Sequence, residues 1–308
     1  MADNLYKLFT TQFSANMELL LQQRGSKLRG LVSEGFHVGK MASPINQLAA
    51  VEFRQPAGKY APIGRVDTDF VRRWVLPIDK DLPMMIDSFD ELRTIVDPKS
   101  KYVEATSAAA GRAWDDMIIQ AALGSSTIGV DPGGLSTESW PATTYLVASN
   151  FGTGSGSAVG LTVPKLIEAR RLFRHYHVDV EVDPVTLIIG SQQEADLLNN
   201  IQVVSTEFNE RPVLVDGRIT RFMGFNFVVS ERLQMASNTT DRRCIAFAKS
   251  GMYLGMWRDM TSRVTIRDDL AGHPYQLYSM LTFGATRTQL GKVIEIGCVD
   301  STGADITP

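Results

Sequence analysis

Between Asp97 and Gly124, apolar side chains return at three- and four-residue steps: Val103, Ala110, Trp114, Ile118 and Ala121, with Ala109, Ala113 and Met117 beside them. That period predicts one broad apolar stripe on a single long α-helix. Asp97 suits the N-cap, and Pro98 at the first helical position gives up no hydrogen bond the helix would have made. The alanines at 108–110 let a neighbouring element come close, and Gly124 supplies a stop. A helix of about 26 residues spans roughly 39 Å, which makes it a spine for the rest of the chain.

The same period marks Asn4 to Gln23, where Leu5, Leu8, Phe9, Phe13, Met17, Leu20 and Leu21 share a face. A terminal helix is held only if it docks, here on its own domain or on a neighbouring subunit. Arg24, Lys27 and Arg29 make the next stretch basic. A short helix is expected from Ser88 to Val96, with Ser88 and Glu91 as a capping box. Another starts at Thr162 and Pro164 and runs to Tyr176 on Leu166, Ile167, Ala169, Leu172 and Phe173. Ser191 with Glu194 opens a fourth, through Leu198.

Strand-like alternation takes over elsewhere. Leu48 to Phe53 and Phe70 to Ile78 predict a long hairpin, joined by RQPAGKYAPIGRVD with its prolines and glycines. Arg54, Lys59, Arg65, Arg72 and Arg73 make that hairpin basic. A two-stranded excursion has little core of its own, so it must lie against something: its own domain or a neighbour. From Ser125 to Gly160 the runs SSTIGVDPGGLSTESW and FGTGSGSAVG predict a loop or insertion. Further strands are expected at Val185–Ile189, Phe225–Val229, Cys244–Ala248, Met252–Trp257, Arg263–Arg267, Gln276–Phe283 and Lys292–Val299. A tight hairpin is expected around Asp216-Gly217. The class is mixed α+β.

Composition narrows the function. Of 308 residues, 44% are hydrophobic and 21% charged, a globular balance, and a net charge of −3 asks for no nucleic-acid partner as a whole. The first residues, MADNLYKLFTTQF, lack a secretory signal's basic start and apolar core. No window offers 18 continuous apolar residues, so no spanning helix and no membrane partner are expected. Cys244 and Cys298 read as buried thiols of a reducing compartment, with a disulfide as the lesser alternative.

The histidines are His37, His175, His177 and His273. The H-x-H pair at 175 and 177, followed by Asp179 and Asp183, can build a metal site, but an exposed helix end explains it with less. Asp115-Asp116 and Asp268-Asp269 are adjacent in sequence; on a helix such neighbours point about 100° apart and do not converge. Gly152, Gly154 and Gly156 lack the Lys-Ser/Thr of a phosphate loop. Arg72, Arg73 and Trp74 can grip phosphates or a base, but salt bridges to a neighbouring chain ask less. No catalytic, cofactor or metal residue is assigned, and no enzyme activity is expected.

Two stretches carry a resemblance: RRWVLPIDKDLPMMIDSFDELRTIVDPKSKYVEATSAAAGRAWDDMIIQAALG from Arg72 to Gly124, and DGRITRFMGFNFVVSERL from Asp216 to Leu233. With AFAKSGMYLGMW (246–257) and the β-rich end, the chain resembles tailed-bacteriophage major capsid proteins of the Hong Kong 97 fold, over most of its length. The resemblance implies an N-terminal arm (1–44), an extended β-hairpin loop (45–82), a peripheral domain with the spine helix (83–124), a mainly axial domain (125–258) and a return to the peripheral sheet (259–308).

It further implies self-assembly as hexamers and pentamers into an icosahedral virion head around double-stranded DNA, touched non-specifically. Head assembly is expected in the host cytoplasm. A separate scaffolding protein is expected because the chain reaches the arm at once from Met1; a portal and a decoration protein are further candidate partners. Inter-subunit contact candidates are Phe9, Phe13, Arg54, Lys59, Tyr60, Arg65, Arg72 and Arg73. Some relatives cross-link a lysine to a neighbour's asparagine; Lys59 sits near the loop tip without a matching asparagine or glutamate, so non-covalent assembly is expected. The alternatives are an encapsulin-type compartment shell and, in another class, a soluble α/β metal-dependent enzyme using His175 and His177.

Overall fold

In the computed structural model the described residues are 22–48, 51–53, 55, 58, 65, 68, 70–86, 99–130, 134–141, 143–152, 156–200, 214–215, 218–237 and 240–300. In chain order the strands are β1 Ser33–Phe36, β2 Ala42–Leu48, β3 Phe70–Val75, β4 Ile78–Ile86, β5 Ser126–Val130, β6 Gly134–Glu138, β7 Leu146–Val147, β8 Val185–Ile189, β9 Leu214–Val215, β10 Arg218–Ile219, β11 Arg221–Phe222, β12 Phe225–Val229, β13 Asp241–Ala248, β14 Met252–Ile266, β15 Tyr275–Arg287 and β16 Val293–Val299. The helices are α1 Lys99–Leu123, α2 Val163–His175 and α3 Ser191–Leu198. The chain divides into two compact units: residues 1–26, 79–112 and 259–281 form one, and residues 27–78, 113–258 and 282–308 the other.

The larger unit is built on a six-stranded sheet in the order β11-β12-β8-β13-β16-β7. Its middle is apolar on both faces: every residue of β8 (VTLII) is buried, as are residues 244–248 of β13 and 293–298 of β16. Continuous apolar runs of this kind belong to strands covered on both sides. Leu166, Ala169, Leu172 and Phe173 of α2 are buried, and Phe173 meets Phe225 of β12 with ring centroids 6.2 Å apart. Cys244 and Cys298, on neighbouring strands, are buried free thiols. Their mutual hydrogen bond and their burial push the Cys244 thiol well above its ordinary range. A second sheet of this unit runs β2-β3-β5-β6.

In the smaller unit, residues 79–86 of β4, 259–266 of β14 and 275–281 of β15 accompany residues 99–112 of α1. Thr106 of α1 is buried, returns its hydroxyl to the Tyr102 carbonyl (2.7 Å) and faces the Met84 sulfur. Gly111 accepts Gly25 at its surface; a Cβ there would stand 2.3 Å from the Gly25 carbonyl carbon.

Several expectations need correction. The glycine- and serine-rich run after Gly124 is no simple loop: β5 and β6 pair over five successive positions, Ser126↔Glu138 to Val130↔Gly134. Thr127, Ile128 and Val130 carry enough β-branched side chain to form a ribbon there. The first hairpin strand lies at Ala42–Leu48, ahead of the expected Leu48–Phe53, of which the described residues 51–53 are irregular; Pro44 sits on a sheet edge, where its missing amide is harmless. An edge proline also hides β4, which carries Pro83 on the edge of the order β1-β14-β15-β4. The two strands expected at 252–257 and 263–267 are one 15-residue strand.

Helix details shift as well. Ser191 does not cap α3; Gly190 precedes the first turn, and the Gln193 side-chain oxygen accepts its amide at 3.1 Å. On α1 Val103 is exposed, and on α2 Ile167 is exposed while Lys165 is buried. The expected terminal helix and the 88–96 helix lie outside the described residues, save Gln22 and Gln23, which are irregular.

Candidate assembly surface

The β2-β3-β5-β6 sheet leaves several apolar side chains uncovered, as do other places such as Phe36, Val38 and Val182. β2 and β3 pair antiparallel from Leu48↔Phe70 to Ala42↔Val75. At the open end of that pair Leu48 is 55% and Phe70 68% exposed, with Val71, Val51, Phe53 and, on β6, Leu135 exposed as well. Singly scattered exposed apolar residues are ordinary, so several along one hairpin make it a candidate interaction surface. Among the sequence-flagged residues, Arg65 is exposed. Arg72 donates from Nε to Asn46 Oδ1 at 2.7 Å and lies over the Trp74 ring at 5.5 Å. Phe9, Phe13, Arg54, Lys59 and Tyr60 lie outside the described residues.

Arg73 behaves differently from its neighbour. Its side chain points into the molecule, where it is 5% exposed, pairs with Glu138 at 2.7 Å and donates to Ser126 Oγ at 2.9 Å. A buried guanidinium needs such partners to offset its desolvation. Those bonds, made to β5 and β6, hold the Arg73 side chain inside the subunit and not at its surface.

Next to it stands Arg287, fully buried at the end of β15. Its guanidinium donates to the carbonyls of Ala121 (3.1 Å), Ala122 (3.2 Å) and Gly124, the orphan acceptors at the C-terminus of α1. It also reaches Ser126 Oγ at 3.4 Å and lies 5.1 Å over the Trp140 ring. Burial first, and the like charge of Arg73 second, push Arg287 down to about 10. Trp140 donates to Glu295 Oε2 at 3.0 Å, and Glu295 receives Arg243 in a two-pronged pair. Three guanidiniums thus face two carboxylates, Glu138 and Glu295. The partial negative charge of the α1 C-terminus offsets the surplus. The root of the exposed sheet is therefore fixed to the end of α1 by buried charge.

Sequence reasoning assigned no role to Arg287, Lys165 or Asp115. Lys165 is buried on α2 and gives its three protons to the carbonyls of Val159 (2.7 Å), Gly160 (2.9 Å) and Gly297 (2.9 Å), while burial lowers its pKa. Asp115, buried on α1, accepts the backbone amides of Lys27 (3.0 Å) and Leu28 (3.1 Å). Arg29 lies 4.4 Å over Trp114 in the same place. Asp116 points elsewhere and pairs with Arg232, so the two carboxylates diverge as the helical period requires. The other pair also separates: Arg267 holds Asp269 at about 2, whereas Asp268 lies 3.6 Å from His273. His175 ends α2 against the edge of Tyr176, and His177 is exposed with a φ of 57°. Among the described residues no group of histidine, cysteine and carboxylate side chains has metal-binding geometry. No described helix is long and apolar enough to cross a membrane.

Comparison with known proteins identifies the family. The family described as phage capsid protein matches residues 5–300, and the chain belongs to that family. It is a major capsid protein, a structural subunit of an icosahedral shell, and its place is the virion. Neither the compartment shell nor the metal-dependent enzyme is favoured by that match.

The fold agrees. The capsid structure of cyanophage P-SCSP1u shares 15% identity at a TM-score of 0.73, covering 98% of this chain and 96% of that one. The capsid of cyanophage Pam1 shares 12% at 0.72, covering 98% and 100%. The structure from Mycobacterium phage Che8 shares 13% at 0.66, covering 94% and 97%. No curated protein sequence matches the chain.

Proposed function

We propose that copies of this chain tile as hexamers and pentamers into a head that encloses double-stranded DNA, and that the hairpin 45–82 lies across a neighbouring subunit. The observation that carries this is the exposed apolar set Leu48 on β2, Phe70 and Val71 on β3, and Val51 and Phe53 beyond the end of β2, with the root of the β2–β3 pair fixed by buried charge. A sheet anchored at one end and apolar at the other is poorly completed by water and well completed by a second copy. Residues 1–44 serve as the N-terminal arm, 83–124 carry the spine helix of the peripheral domain, 125–258 form mainly the axial domain, and 259–308 return to the peripheral sheet. Arg65 and Arg72 supply polar contacts at the rim of the interface.

Each contact buries modest area, and repetition around a closed shell gives the strength. A scaffolding protein guides assembly in the host cytoplasm, a portal occupies one vertex, and a decoration protein is a further candidate partner. DNA contact is non-specific and phosphate-directed.

Negative-stain electron microscopy of the purified protein, with and without its genomic neighbours, tests the proposal. Closed shells or capsomer rings tens of nanometres across are the expected products, and a uniform small oligomer under every condition would overturn it. Deleting residues 56–66 should leave the subunit folded and prevent or weaken shell formation; normal, equally heat-resistant particles would sink the role given to the hairpin.

A further inference from the structure

The β2-β3-β5-β6 sheet has two edges, and they are finished differently. The β2 edge is closed to strand addition. Pro44 has no amide to offer, the register shifts between Ala42 and Ile45, and the Gln47 side chain donates to the Thr288 carbonyl. Proline, irregular register and side-chain cover are the usual devices that stop an edge from pairing with another chain.

The β6 edge has none of them. Its sequence, GLSTE, holds no proline and no lysine, and its register with β5 is unbroken over five positions, the positive φ of Gly134 (116°) being confined to its first residue. Gly134, Leu135, Ser136 and Thr137 are all exposed, and among the described residues no strand pairs with the outer side of β6. Its one charge, Glu138, is turned toward Arg73 and so does not guard the edge. Five residues present an edge of about 17 Å.

We propose that the outer edge of β6 receives an extended segment from a second copy of this chain, by main-chain hydrogen bonding in the manner of strand addition. The inference rests on the shell reading above and deepens it by naming a second contact besides the hairpin. A second copy is the occupant because the chain assembles with itself, and because this edge carries no charge to select a foreign peptide. The buried arginine node holds β6 in place through Glu138, so the edge is presented rigidly and little ordering is needed on docking.

Hydrogen–deuterium exchange of peptides covering 134–138, compared between free subunits and assembled shells, tests it. Amides that face β5 should be slow in both states, and the alternating outward amides should slow by at least about tenfold only in shells. Shells whose outward β6 amides exchange as fast as in the free subunit overturn this inference and leave the shell reading standing. A protein that forms no shells under any condition overturns both. Adjacent amides alternate in direction, so either Leu135 or Ser136 carries an outward one. Proline at whichever shows shell-only protection should leave subunit circular dichroism unchanged and cut shell yield by at least about tenfold. Undiminished yield from that variant also overturns the inference.

Discussion

The six-stranded sheet and the β2-β3-β5-β6 sheet belong to the same compact unit and are finished in opposite ways. In the first, β8, most of β13 and most of β16 are buried on both faces, and α2 packs on the neighbouring β12 through Phe173 and Phe225. In the second, Leu48, Phe70, Val71 and Leu135 are exposed, while Arg73, Val75 and Ser126 are buried at its root. One sheet draws its stability from its own apolar burial. The other takes its position from ions and leaves Leu48 and Phe70, paired across β2 and β3, open to solvent. The difference separates the part of the unit that supplies its own core from the part on which the proposed contact rests.

The strongest way to break the comparison is inside the first sheet. Phe247→Ala removes a fully buried ring between Thr186 and Val293 on the flanking strands and should cost about 3–5 kcal/mol, read as a fall in the urea midpoint of the isolated subunit. Glu138→Gln comes next. It leaves the Arg73 and Arg287 charges under-compensated and should cost about 2–3 kcal/mol, toward the low end because Glu138 is a quarter exposed. Thermal unfolding of the subunit measures it, and a loss no larger than that of an exposed surface substitution would remove the ionic account of the root.

Phe70→Ser together with Leu48→Ser should change subunit stability by less than about 0.5 kcal/mol while abolishing shells in micrographs. A large loss of subunit stability would show that this face is covered by its own chain. The smallest effect lies in acid. Burial pushes Glu231 up, but the Ser191 amide and Arg242 outweigh it and hold the carboxyl below its ordinary value. Its contribution is therefore complete above the unfolded carboxylate pKa and is lost as pH falls through the folded one. Glu231→Gln should flatten that part of the acid unfolding curve and, above pH 6 or so, lower stability by a small amount that does not vary with pH.

Local pattern showed what local pattern controls. The stripe on α1, its stop at Gly124, the ends of α2 and the exact span of β8 follow from period and flanking residues, and all are present. β5 and β6 were obscured by glycine and serine, which weaken a strand signal without preventing pairing against β3. β2 and β4 were displaced or hidden by prolines that only an edge position tolerates. The ionic root of the candidate surface was illegible for a different reason. Arg287 meets Gly124 across 163 residues of sequence, and a charged side chain in isolation reads as solvated. Only the fold supplies the carbonyls, the hydroxyl and the ring that make its burial tolerable. The apolar exposure of Phe70 and Leu48 likewise depends on which face the sheet turns outward, which period-two alternation leaves undecided.

The two thiols on β13 and β16 give the subunit a built-in clock. Cys244 and Cys298 have no access to solvent, and the Cys244 thiol is held in its unreactive protonated form. A thiol-directed reagent added to intact particles can therefore label the chain only when those central strands part. The rate of labelling reads the opening of single subunits within an assembled lattice, with no engineered probe. Compared with the rate in free subunits, it measures how much of the lattice's durability is passed inward to each subunit's core.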